Sequence, residues 1–223
     1  MKKLEHAILN LRGPKNAQQS FIDFVYISTY IQTWNHPKDV IEIISKNFST
    51  NDLSFTIPLM YEELATEMVI TAFSKNGNDL LGNLYERLFQ NTEENTMLTW
   101  QQCKDLIKVP LELHKLDATF NFLDIGCRTG RILLASTLES KEKILYIGVE
   151  YSLIFIQITA LNLLLTGFKN SEVILVDPKT HKFIGCYKIR PSKHKNLEWV
   201  SDVNFVKGWS GYHQYVTVKK LMR

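Results

Sequence analysis

Along the first half of the chain, apolar positions recur every three or four residues, the spacing that lines one face of a helix. In 16–34, Ile22, Val25, Tyr26 and Thr29 share such a face. Pro37 predicts the opening of a second helix through Asn47, since proline suits a first helical turn. Pro58 does the same for a third, with Met60, Leu64, Met68 and Ala72 on one stripe. Asn76-Gly77-Asn78 breaks the chain. Asp79 is expected to cap a fourth helix, in which Leu81, Leu84, Tyr85 and Leu88 lie together. Thr99-Trp100-Gln101-Gln102 has capping-box spacing and predicts a fifth start. Pro110 is expected to kink that helix or end it near Val109. All these stripes read as core packing.

From Phe120 the period changes. Phe120 to Ile125 is a short apolar strand, Gly126 to Gly130 a turn, and Arg131 to Leu138 a helix. Ile144 to Val149 forms a second strand closed by Glu150. Ser152 to Thr166 is an apolar helix stopped by Gly167, and Val173 to Val176 is a third strand closed by Asp177-Pro178. This alternation predicts parallel strands joined by right-handed crossovers. Their near-continuous apolar character suits a sheet covered on both faces. After Pro178, segments Lys182 to Ile189, Leu197 to Phe205 and Tyr212 to Leu221 read as strands, and no helix is expected there. The expected fold class is α/β: an N-terminal helical domain over 1–118, then a shortened Rossmann-like core with basic C-terminal strands over 119–223.

Composition adds few constraints. Of 223 residues, 45% are hydrophobic and 22% charged, which is ordinary for a globular chain. No run of about eighteen apolar residues exists, so no membrane span is expected. The start, Met1-Lys2-Lys3-Leu4-Glu5-His6, is charged and no signal-type apolar segment follows it. Cys103, Cys127 and Cys186 are widely spaced, so neither a disulfide framework nor a zinc site is expected, and a cytoplasmic location fits best. The net charge of +3 is uneven. Residues 179–223 hold ten Lys/Arg against Glu198 and Asp202, interleaved with Phe183, Tyr187, Trp199, Phe205, Trp209, Tyr212 and Tyr215. Such a segment either attracts phosphates and stacks on bases, as in DNA binding, or is a cationic β surface over core aromatics.

The candidate chemistry lies at the strand ends. Asp124-Ile125-Gly126-Cys127-Arg128-Thr129-Gly130 joins a strand to a helix, where glycines let backbone approach a ligand and the helix start offers free amides. Glu150 closes the next strand, at a place where an acid can bind ribose hydroxyls. Asp177 closes the third. Each acid also has a plain reading: Asp124 as a turn residue, Glu150 as a helix cap before Ser152. His181, His194 and His213 have no ligand spacing. Cys127 has no partner base by sequence, and Gly208-Trp209-Ser210-Gly211 is not a nucleophile elbow.

Phe122 to Gly130 resembles the first signature loop of S-adenosylmethionine-dependent methyltransferases. Gly148-Val149-Glu150, followed by the helix ending Ala160-Leu161-Asn162-Leu163-Leu164-Leu165-Thr166-Gly167, resembles adenine-specific DNA methyltransferases, nearest the modification subunit of type I restriction systems. The helix Asp79 to Phe89 is similar to the one before that family's cofactor segment, whose aromatic-Thr-Pro signature reads here Met97-Leu98-Thr99-Trp100. The resemblance implies that Asp124, Gly126 and Gly130 hold the methionine part of S-adenosylmethionine. It further implies that Glu150 binds ribose, that Asp177 meets the adenine amine, and that Thr99 closes over the methionine end. Thr99 is equally well a plain helix cap.

Two departures limit what the resemblance implies. Arg128 stands where the family has a small residue, so it either crowds the pocket or reaches a carboxylate. The Asn/Asp-Pro-Pro-aromatic motif that holds a flipped adenine is missing: the chain contains no Pro-Pro, and neither Asp177-Pro178-Lys179 nor Ile189-Arg190-Pro191-Ser192 replaces it. The expected function is a methyltransferase-like protein acting on or binding DNA. The alternative is a catalytically inactive module that binds DNA or a restriction–modification subunit. Methyl acceptors on RNA or protein amines are a third reading, because fold does not fix substrate.

Overall fold

The structure, a computed structural model, describes residues 2–13, 15–34, 36, 42, 46, 48–49, 51–72, 79–89, 97–116, 121–139, 144–167, 170–190 and 196–222. Helices α1 (Lys2–Leu9), α2 (Ala17–Gln32), α3 (Ile57–Ala72), α4 (Leu80–Phe89) and α5 (Trp100–Leu116) fill the first half, with a short strand β1 (Thr33–Trp34) and a π turn (Asp52–Thr56) between them. The second half runs β2 (Phe122–Ile125), α6 (Arg131–Glu139), β3 (Tyr146–Glu150), α7 (Leu153–Leu165), β4 (Ser171–Val176), β5 (Phe183–Ile189), β6 (Leu197–Val200), a 3₁₀ turn (Val203–Phe205) and α8 (Trp209–Leu221). The expected helix over 37–47 and the break at 76–78 lie outside the described residues, apart from Glu42 and Lys46.

The caps read from sequence are in place. Asp79 Oδ1 accepts from the Gly82 amide at 2.7 Å, which starts α4. The Thr99–Gln102 pair closes reciprocally at the start of α5. Thr99 Oγ1 accepts from the Gln102 amide at 3.3 Å, and the Thr99 amide donates to Gln102 Oε1 at 2.8 Å. Pro110 does not end α5, which continues to Leu116. Cys103 and Ile107 on that helix are buried, and their packing outweighs the one hydrogen bond that proline removes.

The sheet order is β1-β6-β5-β4-β3-β2. β2, β3 and β4 are mutually parallel, as the alternation predicts, with α6 and α7 as crossovers. β5 then returns antiparallel to β4, and β6 antiparallel to β5. β1 adds a parallel edge beside β6. Alternate residues of each strand face two separate cores. One face carries Tyr146, Val173, Leu175, Tyr187 and Ile189 and packs against Phe21, Phe24, Leu81, Leu134, Ile158 and Leu161 from α2, α4, α6 and α7. A single core therefore joins the helical first half to the sheet across the expected boundary at 118.

The other face carries Leu145, Ile147, Val149, Ile174, Val176 and Cys186. It is covered by α8, and this corrects the expected strand over Tyr212 to Leu221. The Tyr, Val and Thr content favours a strand, but Trp209, Tyr212 and Val216 fall on one helical face and pack on this second core. Burial of an apolar sheet face outweighs local propensity. The expected strand over Leu197 to Phe205 is also shortened. It stops at Val200, and Asp202 then caps the 3₁₀ turn by accepting from the Asn204 amide at 2.9 Å.

Candidate functional site

The loop after β2 is built from backbone shapes that its sequence permits. Gly126 and Gly130 have φ of 75° and 78°, in the left-handed region. A Cβ on Gly130 would stand 2.6 Å from Thr159 Cγ2 of α7, so the loop needs hydrogen there as well as a free φ. Arg128 also sits left-handed, at φ 49°. Its peptide is held on both sides: its amide donates to Glu150 Oε2 at 2.8 Å, and its carbonyl accepts from Thr159 Oγ1 at 2.5 Å.

Glu150 is buried at the end of β3, with every hydrogen bond made to backbone. Besides the Arg128 amide, its carboxylate accepts from Tyr151 N at 2.7 Å and Ser152 N at 3.3 Å. These bonds fix the turn between β3 and α7, ahead of the helix, whose N-cap Ser152 makes no side-chain cap bond, and they latch the glycine loop. Asp177 is drawn elsewhere. Its Oδ1 accepts from Lys179 N at 3.0 Å, Thr180 N at 2.6 Å and Thr180 Oγ1 at 2.8 Å, forming the Asx turn of the β4–β5 hairpin. Those bonds, the Thr180 amide first, hold its carboxyl below the usual range.

Asp124 differs from both. It is partly buried, and its Oδ2 has no hydrogen-bond partner among the described residues. Burial first, and the neighbouring Glu150 charge second, push its carboxyl up to about 7. It lines a cavity of about 220 Å³ with Met97, Leu98, Cys103, Arg128 and Ile132 among the other lining residues. Burial also raises the two thiols there, Cys103 to about 11 and Cys127 well above its ordinary value, so neither is a poised nucleophile.

Beneath the cavity lies a buried polar hub. Asp79 Oδ2 accepts from Thr129 Oγ1 at 2.7 Å and Arg131 Nε at 3.0 Å, while Oδ1 accepts from Asn162 Nδ2 at 2.8 Å. Asn162 also donates to the Thr129 carbonyl at 2.9 Å. Arg131 reaches on to the Leu98 carbonyl at 2.7 Å and Asn83 Oδ1 at 3.0 Å. One carboxylate thus ties α4, the glycine loop, α6 and α7 together. From sequence, Asp79 is only a cap. The available signal was Asn162, a polar residue within the apolar run of α7 that must find a buried partner.

Of the residues singled out by sequence, Asp124, Gly126, Gly130 and Glu150 converge at the carboxyl ends of β2 and β3. Thr99 is engaged as the cap of α5, and Asp177 stands apart in its turn. Among the described residues no group of three His, Cys, Asp or Glu could hold a metal, and no helix is long and apolar enough to cross a membrane. Compared with known family models, curated proteins and solved structures, the chain matches none of them.

Proposed function

We propose that the chain is a methyltransferase-like binding module that keeps a cofactor-type loop and transfers no methyl group by itself. One observation carries the ligand-binding part: a cavity beside the glycine loop contains a buried carboxylate oxygen of Asp124 that none of the described residues satisfies. A buried unpaired acceptor is costly unless a ligand donor completes it. The ammonium of an amino-acid moiety, as in S-adenosylmethionine, is such a donor. The fit to the rest of that cofactor is poorer, because the Glu150 and Asp177 oxygens already accept backbone amides.

Catalytic silence is supported by sequence and topology together. The chain has no Asn/Asp-Pro-Pro-aromatic segment. In doubly wound sheets the ligand crevice forms where strand order reverses. Here β2 to β6 lie side by side in chain order, and β2 has no neighbour on its outer side among the described strands. Calorimetric titration with S-adenosylmethionine and S-adenosylhomocysteine, alongside labelled methyl transfer to DNA, tests the reading. Binding that Asp124→Asn removes, with no label transferred, is the expected result. Absence of binding sinks the ligand site, and label on DNA sinks the silence.

A second reading, DNA as partner, is favoured by one groove. Tyr151, His181, Tyr215, Lys219 and Lys220 line it at the carboxyl ends of the strands, with Lys179 and Lys182 in the adjacent turn. The free cationic surface is smaller than the sequence count implies. Lys188 is buried, donates to the Phe205 carbonyl and lies 3.9 Å from Glu172, while Arg190 is 3.4 Å from Glu198. Binding of labelled duplex DNA that weakens steeply with salt and is lost in a Lys219→Ala/Lys220→Ala variant supports it. Affinity indifferent to salt argues against it.

A further inference from the structure

We infer that the protein has a second ligand site, at the opposite end of the sheet from Asp124, and that it takes a phosphomonoester of a small polar molecule. This site is independent of the glycine-loop cavity and of the function proposed for it.

A cavity of about 340 Å³ lies there, with Leu145, Asn170, Glu172, Lys188, Arg190 and Lys207 in its lining. Leu145 and Asn170 precede β3 and β4, and Arg190 follows the antiparallel β5, so this is the amino end of the parallel strands. Glu172 on β4 pairs in register with Lys188 on β5, and Lys188 with Glu198 on β6. Alternate residues share a face, so Arg190 joins the same row. The four charges of that row alternate in sign and balance. Part of the row has a structural role. Glu172 accepts from the Lys207 amide at 3.2 Å and the Gly208 amide at 3.1 Å, and Lys188 donates to the Phe205 carbonyl. The buried pair thus fixes the 3₁₀ turn and the start of α8 to the sheet. That role accounts for Glu172 and Lys188. It does not account for Lys207, whose exposed side chain has no hydrogen bond or ion pair among the described residues.

Donors are left over in this cavity, whereas both Glu172 oxygens already accept. Arg190 meets Glu198 through Nε at 3.4 Å, longer than a good charge-assisted bond, and its outer nitrogens carry further N–H groups. Asn170 donates one amide hydrogen to the Ile144 carbonyl at 3.0 Å and keeps the other. Lys207 adds its whole ammonium, and with it the balanced row becomes positive. Free donors and positive charge suit an oxyanion. A phosphate ester brings a charge of about −2 and more acceptor oxygens than a carboxylate. Arginine and lysine together are suited to holding it. The volume lies at the lower end of the roughly 300–1,000 Å³ of small-molecule sites, which leaves room for a short carbon skeleton over Leu145 and Ile189.

Calorimetric titration of the full chain with glycerol phosphate, inorganic phosphate and glycerate tests the inference. The parent is compared with Arg190→Gln, Lys207→Ala and Lys219→Ala/Lys220→Ala, the last removing cations at the other end of the sheet. Loss of one charge-assisted contact weakens binding at least about tenfold. Glycerol phosphate is expected to bind more tightly than inorganic phosphate, and glycerate at least tenfold more weakly. Arg190→Gln and Lys207→Ala each weaken glycerol phosphate by that factor while melting like the parent, and the Lys219/Lys220 variant leaves it unchanged. The inference is overturned if glycerol phosphate does not bind, or if glycerate matches it. It is equally overturned if inorganic phosphate matches it, which would mark an ion site only. A loss in the Lys219/Lys220 variant as large as in Arg190→Gln would also overturn it, since that is diffuse attraction to a basic surface.

Discussion

Asp124→Asn is expected to make the protein more stable, by an amount that grows as pH rises from about 4 to about 7 and is full above that. An ordinary aspartate titrates near 3.8, and in the folded chain burial and the Glu150 charge move Asp124 up to about 7. Between those two values the folded state retains a proton that the unfolded state has lost. Stability therefore falls as pH rises through that window, and the loss is complete above the folded value. The interval is worth about 4 kcal/mol at about 1.4 kcal/mol per pH unit, and this is a ceiling, because the residue keeps some exposure to water. Asparagine has the same shape and no charge to bury. Its stability curve should match the parent near pH 4 and rise above it towards pH 8. For a chain of this size a difference of that order raises the melting temperature by on the order of 10 °C. The charged and titratable groups nearby do not supply the same effect: Arg131 is bound to Asp79, Glu150 accepts only amides, and both cavity thiols stay protonated. Urea unfolding of both proteins from pH 4.5 to 8 decides the matter. Parallel curves would refute a buried, unpaired Asp124.

Three further outcomes follow from the same geometry. Asp79→Ala leaves Arg131 buried without its carboxylate and strips Thr129, Asn162 and the α4 cap of their acceptor, so a loss of about 3–5 kcal/mol is expected by urea unfolding. A loss under about 1 kcal/mol would mean the hub is not formed. Gly130→Ala should cost more than Gly126→Ala: both force an L side chain to positive φ, about 1–2 kcal/mol, but only at 130 does the new methyl meet Thr159. Equal costs would contradict the close approach of the loop to α7. Glu150→Gln turns one accepting oxygen into a donor facing a backbone amide and should lower stability by about 1–3 kcal/mol, read as a shifted urea midpoint with an unchanged slope.

Much of this arrangement is legible in the sequence, and what is not has a common cause. The caps at Asp79 and Thr99 follow from local chemistry, and both form. The run from β2 to β4 follows from a change of period and is placed within a residue or two. Features that depend on distant partners are not legible. Thr33 and Trp34 become a strand because β6 offers a free edge 164 residues on, at Leu197. Tyr212 to Leu221 becomes a helix because an apolar sheet face needs cover. The hub gathers Asp79, Thr129, Arg131 and Asn162 from four elements, and no local window contains them together.

The strand-end acids show why a position in a motif does not by itself assign a role. A chain leaving a parallel strand for a helix or a turn presents free amides at that point, and an acid there satisfies them whether or not a ligand is bound. Glu150 accepts backbone amides on both carboxylate oxygens, and Asp177 accepts on Oδ1 in its exposed turn. Position alone therefore does not separate a cap from a ligand-binding acid, since both lie at the same strand end. The separating quantity is the number of buried carboxylate oxygens that the fold leaves unsatisfied. By that measure the three acids reduce to one, Asp124, whose Oδ2 is buried beside a cavity and has no donor among the described residues. A group that weakens the fold as it ionises and helps no backbone bond is better explained by what it would hold than by what it stabilises.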